Sequence, residues 1–239
     1  MLRSLWLVLN ALVSTPPLSL AIIVASVLRL DEGIYDRIPR IWCRWLLWAA
    51  GVDVEVQGLT NIDPDRPQII ASNHVSWFDV GALAVHLPKR YRFIAKRELA
   101  SVPLWGRAWQ AAGHIAIDRS DTQSAVATLD EVSRTLHRDH SAIVIFPEGT
   151  RSPTGNLQPF KKGAFMLALR SGVEIVPTAV LGTHDILPRN GWRVRPGRII
   201  VRFGPPVNTA DYSESTRDEL VARVRTEIQA LLDAPAPEN

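Results

Sequence analysis

The sequence predicts an α/β fold, organised as one domain around a largely parallel sheet. From about residue 51 onward, short apolar runs alternate with segments of helical spacing, a pattern typical of parallel sheets. Residues 142–146 are almost entirely apolar, as expected of a strand buried on both faces. Apolar residues recur every three or four positions in 121–139, which predicts an amphipathic helix. With 46% hydrophobic residues among 239, the chain can bury one sizeable core.

Each predicted element follows from a local signal. Runs of β-branched and apolar residues predict the strands, and caps or Pro and Gly residues limit the helices. The predicted strands are residues 52–56, 68–72, 92–95, 114–118, 142–146, 174–180 and 199–203, and the predicted helices are 77–86, 121–139, 163–170 and 214–232. The domain therefore spans 51–233, and the polar tail 234–239 is expected to fray. Active groups of such a sheet lie in loops at the carboxyl ends of its strands.

The first fifty residues differ in character from the rest. No charged residue lies between Arg3 and Arg29, and an unbroken helix over that run would be about 37 Å long, enough to cross a hydrocarbon core of about 30 Å. Pro16 and Pro17 interrupt the run, so we expect two helical pieces of about 18 and 16 Å. They would form a hairpin in one leaflet or a kinked span. A cleaved signal peptide is disfavoured because no small-residue cleavage site follows.

A second, amphipathic helix is predicted over residues 34–50. Its tryptophans lie on one helical stripe and its arginines on another, an arrangement that suits the lipid headgroup region. We therefore predict a two-helix membrane-anchoring motif over residues 1–50. The residues assigned to the membrane interface are Arg37, Arg40, Trp42, Arg44 and Trp45. The alternative is a core helix that packs its Trp stripe on the domain.

The stretch richest in chemistry is SNHVSWFD at residues 72–79. Five residues advance a helix about 140° past a full turn, so His74 and Asp79 can face each other only if His74 precedes the helix. With Ser76 as N-cap, Asp79 is the third helical residue and reaches back to the loop. Its carboxylate can bond Nδ1–H of the imidazole, which leaves Nε2 to take a proton from a hydroxyl.

The same residues allow other interpretations. Ser76 and Asp79 would also form a capping box without catalytic role, with His74 an ordinary loop residue. A nucleophilic triad is disfavoured because no G-x-S-x-G elbow surrounds Ser76. A metal site with His86 is disfavoured because it lacks an i, i+4 histidine pair and a cysteine ligand. We therefore predict no metal.

A second polar stretch, FPEGTRS at residues 146–152, directly follows a predicted buried strand. Gly149 lets the backbone approach a ligand, and Thr150 and Arg151 offer donors suited to phosphate oxygens. Glu148 is expected to hold Arg151 in place or to bond a substrate hydroxyl. Alone, this stretch would also suit an ordinary surface turn.

Four blocks taken together make the sequence resemble the membrane-bound glycerolipid acyltransferases. The blocks are NHxxxxD at 73–79, GxIxIDR at 113–119, FPEGTRS at 146–152 and IVP at 175–177. Their order, and a spacing of roughly 30 to 40 residues, also match that family, so the resemblance covers about residues 50 to 205. His114 and Ala116 depart from the residues that the family often has in the second block.

The resemblance implies a role for each matching residue. His74 would be the general base on the acceptor hydroxyl and Asp79 its orienting partner, with direct attack on an acyl thioester and no covalent acyl-enzyme. The residues implied to bind the glycerol phosphate part of the acceptor are Lys96, Arg119, Glu148, Gly149, Thr150 and Arg151. Lys161 and Lys162 would meet the donor's phosphates or be a solvated charge pair.

The resemblance also implies an O-acyltransferase of phospholipid biosynthesis. An acyl group would pass from acyl-CoA or acyl carrier protein to the sn-2 hydroxyl of 1-acyl-sn-glycerol-3-phosphate, giving phosphatidate. The donor is a co-substrate; no bound cofactor and no nucleic-acid partner are expected, and membrane lipids are the other partners. Glycerol 3-phosphate or a lyso-aminolipid are alternative acceptors, because a guanidinium also binds carboxylate. A non-catalytic module that binds anionic lipid is the alternative from another class.

Composition and charge fit this interpretation. A net charge of +3 and a pI near 9.3 suit an anionic membrane surface or a phosphorylated substrate. Cys43 is the one cysteine, which excludes an intrachain disulfide and fits a cytosol-facing protein. We expect the protein at the cytoplasmic face of the inner cell membrane. The histidines interpreted as surface or packing residues are His86, His114, His137, His140 and His184.

Overall fold

A computed structural model describes residues 1–31, 33–118 and 122–235 of the chain. The α-helices within these residues are α1 (Leu2–Val27), α2 (Gly33–Ala50), α3 (Trp77–His86), α4 (Arg97–Ala100), α5 (Trp105–Ala111), α6 (Thr122–Asp139), α7 (Gly163–Ser171), α8 (Thr183–Ile186) and α9 (Arg217–Asp233). The strands are β1 (Val52–Gln57), β2 (Gln68–Ser72), β3 (Tyr91–Lys96), β4 (Ile115–Ile117), β5 (Ala142–Ile145), β6 (Ile175–Leu181) and β7 (Gly197–Phe203). Two short 3₁₀ turns are Leu59–Asn61 and Thr209–Asp211.

The strands in the described part of the chain form one sheet with the order β1-β7-β6-β2-β5-β3-β4. β2 lies parallel between β6 and β5, and β3 lies parallel between β5 and β4. β7 runs antiparallel to β6, and β1 pairs with β7 in parallel. The largely parallel α/β fold predicted from the sequence is confirmed. Because β2, β5 and β3 are parallel neighbours, the loops after them lie at one edge of the sheet.

Helices cover both faces of this sheet. Side chains of β2 alternate between the faces, as the pleat requires: Ile70 packs in the core with residues of α2 and α3, whereas Ile69 and Ala71 pack with residues of α6, α7 and α9. β5 repeats this alternation beside β2, since Val144 lies in the first core and Ile143 in the second. The centre of the sheet is therefore buried on both sides, and the loops at its edge start from well-packed strands.

The structure corrects the prediction for the first helix. Pro16 and Pro17 do not divide the run: both lie inside the continuous helix α1, whose 26 residues span about 39 Å. Proline's φ is compatible with a helix, and packing on two partners holds the halves together. In the first half, Ser14 and Asn10 accept hydrogen bonds from the indoles of Trp42 and Trp45 in α2. The second half packs on α5.

α1 is long and apolar enough to cross a membrane, by length and composition alone. Only 17% of its most apolar 18-residue stretch is buried inside the protein. The large apolar residues of α1 and the turn after it that are exposed include Leu2, Leu5, Trp6, Leu9, Leu12, Val13, Leu20 and Leu28. α1 thus presents an apolar surface that the rest of the described chain leaves uncovered.

α2 is docked on the domain through one face. Leu47 is part of the core beneath the sheet, and the buried carboxylate of Asp36 lies 2.7 Å from the guanidinium of Arg92 in β3. The opposite face leaves large apolar residues exposed, namely Ile41, Trp45 and Trp48. The helix therefore combines the two alternatives that the sequence left open, a core face and an exposed Trp-bearing face.

At the carboxyl terminus, the guanidinium of Arg202 donates to the main-chain carbonyls of Ala234 and Pro235 at 2.8 and 2.7 Å. These bonds tie the start of the predicted tail to the sheet. Residues 236–239, the rest of the tail that was expected to fray, lie outside the described residues.

Candidate active site

The loop after β2 is held in place by an asparagine. The side-chain amide of Asn73 donates to the carbonyl of Val180 at 2.9 Å, and its oxygen accepts from the main-chain N–H of Val180 at 2.8 Å. Asn73 thus pairs with β6 as a strand residue would, using its side chain. These two hydrogen bonds fix the start of the loop that carries His74.

The buried carboxylate of Asp79 accepts several hydrogen bonds from this loop. Its Oδ2 accepts from the main-chain N–H groups of Val75 and Ser76 at 2.7 and 2.8 Å, and lies 2.8 Å from Nδ1 of His74. Its Oδ1 accepts from the hydroxyl of Thr183 at 2.5 Å. Ser76 is the N-cap of α3 and Asp79 its third residue, in a capping box. The predicted His74–Asp79 contact and the predicted cap are both confirmed, and they coexist.

The carboxylate determines which ring nitrogen carries the proton. A carboxylate only accepts hydrogen bonds, so Nδ1 of His74 must be the donor, and Nε2 of the neutral ring is then an acceptor. The ring stacks on Phe146 at the end of β5, with 4.0 Å between ring centroids. Its side chain remains 13% exposed, whereas that of Asp79 is fully buried. His74 therefore offers a fixed, reachable proton acceptor, the arrangement a general base needs.

Glu148 contacts the backbone of the histidine loop. Its Oε1 accepts from the main-chain N–H of His74 at 2.7 Å, and its Oε2 accepts from that of Gln158 at 2.9 Å. Burial raises the pKa of Glu148 to about 7, although both backbone hydrogen bonds act in the opposite direction. A second link joins the same two loops, because the N–H of Ser152 donates to the carbonyl of His74 at 2.7 Å. The described contacts of Glu148 are thus those of a positioning residue.

Arg151 lies beside the amino terminus of α3. Its guanidinium sits over the exposed ring of Trp77, 4.8 Å from the centroid, and donates to the carbonyl of Arg189 at 3.3 Å. Arg189 donates in turn to the carbonyl of Arg151 at 2.8 Å. Burial, and next the neighbouring Arg189, lower the pKa of Arg151. Gly149, two residues earlier, has a φ of +73°, a left-handed conformation that favours glycine at this turn.

The other predicted acceptor-binding residues lie at the same edge of the sheet or outside the described chain. Lys96 ends β3 and is exposed, and Thr150 is exposed in the loop after β5. Arg119 lies outside the described residues. Lys162, which was expected to meet the donor or to be a solvated charge pair, lies 2.6 Å from Asp218 in an exposed ion pair.

The predicted membrane-interface residues divide into two groups. Arg37, Arg44 and Trp45 are exposed. Arg40 and Trp42 are half-buried and bonded within the protein. Arg40 donates to the carbonyls of Leu87 and Lys89, both at 2.5 Å, and the indole of Trp42 donates to the hydroxyl of Ser14 at 3.2 Å. The residues of α2 are therefore not equivalent, although the helical spacing made them look so.

Thr183 and Gln158 are site residues that the sequence did not reveal. Thr183 contacts Asp79 across 104 positions of the chain, and Gln158 contacts Glu148 across 10. Neither stands in a recognisable local pattern. His114, interpreted as a packing residue, lies half-buried between Phe93 and Trp109, and its Nδ1 accepts from the N–H of Phe93 at 3.2 Å. Burial lowers its pKa to about 3, so the ring is neutral.

A small apolar cavity of about 90 Å³ lies between α1, α2, α3 and α5. Apolar and aromatic side chains make up most of its lining, among them Ile22, Trp42, Ala84, Phe93, Ala108 and Trp109. Phe93 leads from this cavity toward the histidine, because its ring stacks with Phe146 at 6.3 Å, and Phe146 stacks on His74.

A carboxylate-oriented imidazole at the edge of a parallel sheet, next to a loop that carries a guanidinium, suits an enzyme class that activates a hydroxyl beside an anionic group. Residues 53–181, more than half of the chain, match the protein-family model described as Acyltransferase. The chain belongs to this family.

Relatives extend the comparison over most of the chain. Proteins named 1-acyl-sn-glycerol-3-phosphate acyltransferase from Cocos nucifera and Limnanthes alba are both 36% identical, over 181 and 179 residues. The alpha form from Homo sapiens is 36% identical over 189 residues. These alignments cover 76%, 75% and 79% of this chain and 58%, 63% and 67% of the relatives. The chain thus spans about three fifths of the length of the two plant relatives.

A solved structure shares the fold. The crystal structure of PlsC from Thermotoga maritima, a 1-acyl-sn-glycerophosphate acyltransferase, superposes with a TM-score of 0.82. The match covers 99% of this chain and 97% of that one at 24% sequence identity. The overall fold is therefore that of a known acyltransferase structure.

Proposed function

We propose that the protein transfers a fatty acyl group from an acyl thioester to the sn-2 hydroxyl of 1-acyl-sn-glycerol-3-phosphate, giving phosphatidate. The observation that carries this proposal is the 2.8 Å contact between Nδ1 of His74 and the buried Asp79. The names of the relatives support the choice of acceptor. A site that only binds lipid would need no oriented base.

In the proposed reaction, Nε2 of His74 takes the proton of the acceptor hydroxyl as the oxygen attacks the thioester carbonyl. A tetrahedral intermediate forms and collapses with cleavage of the carbon–sulfur bond. The proton passes from the imidazolium to the departing thiolate, so the products are the ester and the free thiol. Asp79 stabilises the imidazolium and holds its orientation. A positioned base of this kind contributes about 10²- to 10⁴-fold in rate.

Arg151 is the proposed contact for the acceptor phosphate, and Lys96, Thr150 and Arg119 are proposed to share in binding it. The guanidinium is held by the Trp77 ring and the carbonyl of Arg189, so it is oriented before a ligand binds. Cations on a phosphate mainly fix the position of the acceptor, which turns an encounter of two substrates into a held geometry. Gly149 allows the turn of this loop, and Glu148 holds the backbone of His74 through its main-chain N–H.

The apolar cavity of about 90 Å³ is proposed to receive part of the acyl chain. Its walls include α1, and the Phe93–Phe146 pair connects it with His74. An acyl chain in this cavity would have its thioester near the base. The donor, acyl-CoA or acyl carrier protein, would bring the thioester from the aqueous side.

Residues 1–50 are proposed to anchor the enzyme in a membrane, at its cytoplasmic face. The support is the exposed apolar surface of α1 together with the exposed Arg37, Arg44 and Trp45 of α2. A lysophospholipid keeps its acyl tail in the bilayer, so the acceptor site must lie at lipid depth.

A substrate panel tests the proposal. The purified protein in detergent micelles would receive an acyl thioester, carried by coenzyme A or by acyl carrier protein, with lysophosphatidate, glycerol 3-phosphate or a lyso-aminolipid as acceptor. We expect phosphatidate as the main product. A clear preference for another acceptor would reject the proposed substrate, and no transfer to any acceptor would reject the proposed activity.

A further inference from the structure

A loop outside the predicted anchor combines tryptophan and arginine in the same way as α2. Residues 187–196, LPRNGWRVRP, contain three arginines and no acidic residue. Trp192 is 62% exposed, and Arg193 and Arg195 are exposed beside it. An indole is favourably placed at the boundary between headgroups and acyl chains, and guanidinium groups bind lipid phosphates. The composition of the loop therefore complements an anionic bilayer surface.

The loop is attached to the apolar helix α1. Its Val194 N–H donates to the hydroxyl of Ser4 at 2.9 Å, and both residues are buried at this contact. In the same turn of α1, Leu2 and Leu5 are 86% and 62% exposed. The exposed residues of the loop thus continue the uncovered apolar surface of α1. A bilayer that covers this end of α1 would meet the loop as well.

The loop is also attached to the candidate active site. At its start, the hydroxyl of Ser76 donates to the carbonyl of Leu187 at 2.7 Å. Two residues later, Arg189 and Arg151 exchange hydrogen bonds between guanidinium and carbonyl groups. The loop therefore connects the N-cap of α3 and the proposed phosphate ligand with the first turn of α1.

We propose that residues 187–196 form a second membrane contact, which binds anionic lipid headgroups through Trp192, Arg193 and Arg195 and holds the Arg151 site against the bilayer. An acidic protein such as acyl carrier protein would also be attracted to arginines. The lipid surface is favoured because the exposed indole, and the continuity with α1, have no use in a purely electrostatic contact. This contact goes beyond the proposed function and does not depend on turnover.

The depth of residue 192 in the membrane tests the proposal directly. Trp192→Cys in the full chain, labelled with an environment-sensitive fluorophore, is placed in vesicles that contain phosphatidylglycerol and lipids with a quencher below the headgroup. Cys43 is buried, so the exposed thiol is labelled selectively. The matched control is Ala222→Cys on α9, which is exposed on the helix layer at the other face of the sheet. We expect strong quenching at position 192 and little at 222.

Removing the two exposed arginines tests the role of charge. Each cation near an anionic surface contributes on the order of fivefold to binding, so Arg193→Gln with Arg195→Gln is expected to weaken docking of the labelled loop about 30-fold. Equal quenching at positions 192 and 222 would overturn the proposal, as would quenching that the arginine substitutions leave unchanged. Protection of the label by acyl carrier protein without lipid quenching would identify the loop as a protein-docking site and also overturn it. A loop that is quenched in a protein without acyl transfer would contradict the proposed function alone.

Discussion

At the scale of single residues, the site depends on a carboxylate that is surrounded by donors. Asp79 is fully buried and accepts hydrogen bonds on both oxygens, from main chain, imidazole and hydroxyl groups. A buried charge is tolerated only when it is paired or hydrogen-bonded. The donors that stabilise the buried charge of Asp79 therefore also hold its carboxylate in a fixed position beside His74.

Substitution of this carboxylate tests its role. Asp79→Asn keeps the shape of the side chain but removes the negative charge that stabilises the imidazolium in the transition state. We expect the rate of acyl transfer to fall by about 10²- to 10⁴-fold, measured as kcat with an acyl thioester and lysophosphatidate. The unfolding curve of the variant controls for loss of fold. A variant within tenfold of the unchanged protein would show that the charge is not needed.

Glu148 gives a prediction about pH and stability. Its pKa is raised from 4.5 to about 7 in the folded protein, so between these values the folded state holds a proton that the unfolded state has lost. The contribution of this group to stability is complete below pH 4.5 and is lost as the pH rises toward 7. The total loss is about 3 kcal/mol. Unfolding by urea in detergent, at several pH values from 4.5 to 7.5, measures the slope.

The matching variant is Glu148→Gln, which cannot titrate and is expected to lack this slope, whatever its absolute stability. Glu219→Gln, on the exposed side of α9, is the control and should keep it. Parallel curves for the unchanged protein and Glu148→Gln would mean that Glu148 has an ordinary pKa in the folded state.

The sequence predicted those contacts of the site that are local. The loop position of His74, the cap at Ser76 and the reach of Asp79 follow from a spacing of five residues and the geometry of one helix end. Thr183 and Gln158 could not be predicted, because their contacts depend on how β6 and the loop after β5 pack in three dimensions. The main-chain contacts of Glu148 could not be predicted for the same reason, because main-chain groups leave no sequence signal. Its contact with the substrate stays a prediction.

At the scale of secondary-structure elements, α2 shows how tertiary contacts decide what an amphipathic helix does. The spacing of its Trp and Arg residues indicated a membrane surface. The structure instead places Arg40 on carbonyls of the domain and Asp36 on a buried arginine, while Trp45 and Arg44 stay exposed. Helical periodicity identifies the faces of a helix, but it does not say which surroundings each face meets.

The ion pair of α2 gives a prediction at this scale. Asp36→Ala would leave the guanidinium of Arg92, which is 8% exposed, buried without the partner 2.7 Å away. Removal of one member of a buried pair typically costs about 3–5 kcal/mol. We expect a loss of that size in the free energy of unfolding, whereas Asp53→Ala at an exposed position of β1 should change it by less than about 0.5 kcal/mol. Similar effects of both substitutions would mean that α2 is not docked through this pair.

Local sequence signals predicted some secondary-structure elements correctly and failed at the prolines of α1. β2 and α3 were predicted with the bounds that the structure has, since a continuous apolar run and a capped helix are defined by their own residues. The break at Pro16 and Pro17 was wrong, because contacts of α1 with α2 and α5 outweigh the missing main-chain donors. Those contacts come from residues about 30 and 90 positions away, beyond the reach of a local rule.

At the scale of the whole molecule, the fold joins the uncovered apolar surface of α1 to the candidate active site. α1 and α2 cover one face of the sheet, the candidate cavity lies beneath them, and the loop after β2 carries His74 at its edge. The loop 187–196 connects Arg151, the proposed phosphate contact, with α1. A water-borne donor and a membrane-borne acceptor would meet where these parts converge.

The proposed membrane anchor and the proposed base consist of different residues, so one experiment can test the two roles separately. His74→Ala removes the proposed base but no contact of α1 or of α2. The matched control is His86→Ala at the last position of α3, whose ring bonds only its own helix at the carbonyl of Ala82 among the described contacts. Both variants would be assayed for sedimentation with phospholipid vesicles and for formation of phosphatidate.

We expect His74→Ala to sediment with vesicles like the unchanged protein but to form phosphatidate at least 100-fold more slowly, whereas His86→Ala does both normally. Substantial acyl transfer by a folded, membrane-bound His74→Ala variant would show that this imidazole is not the base.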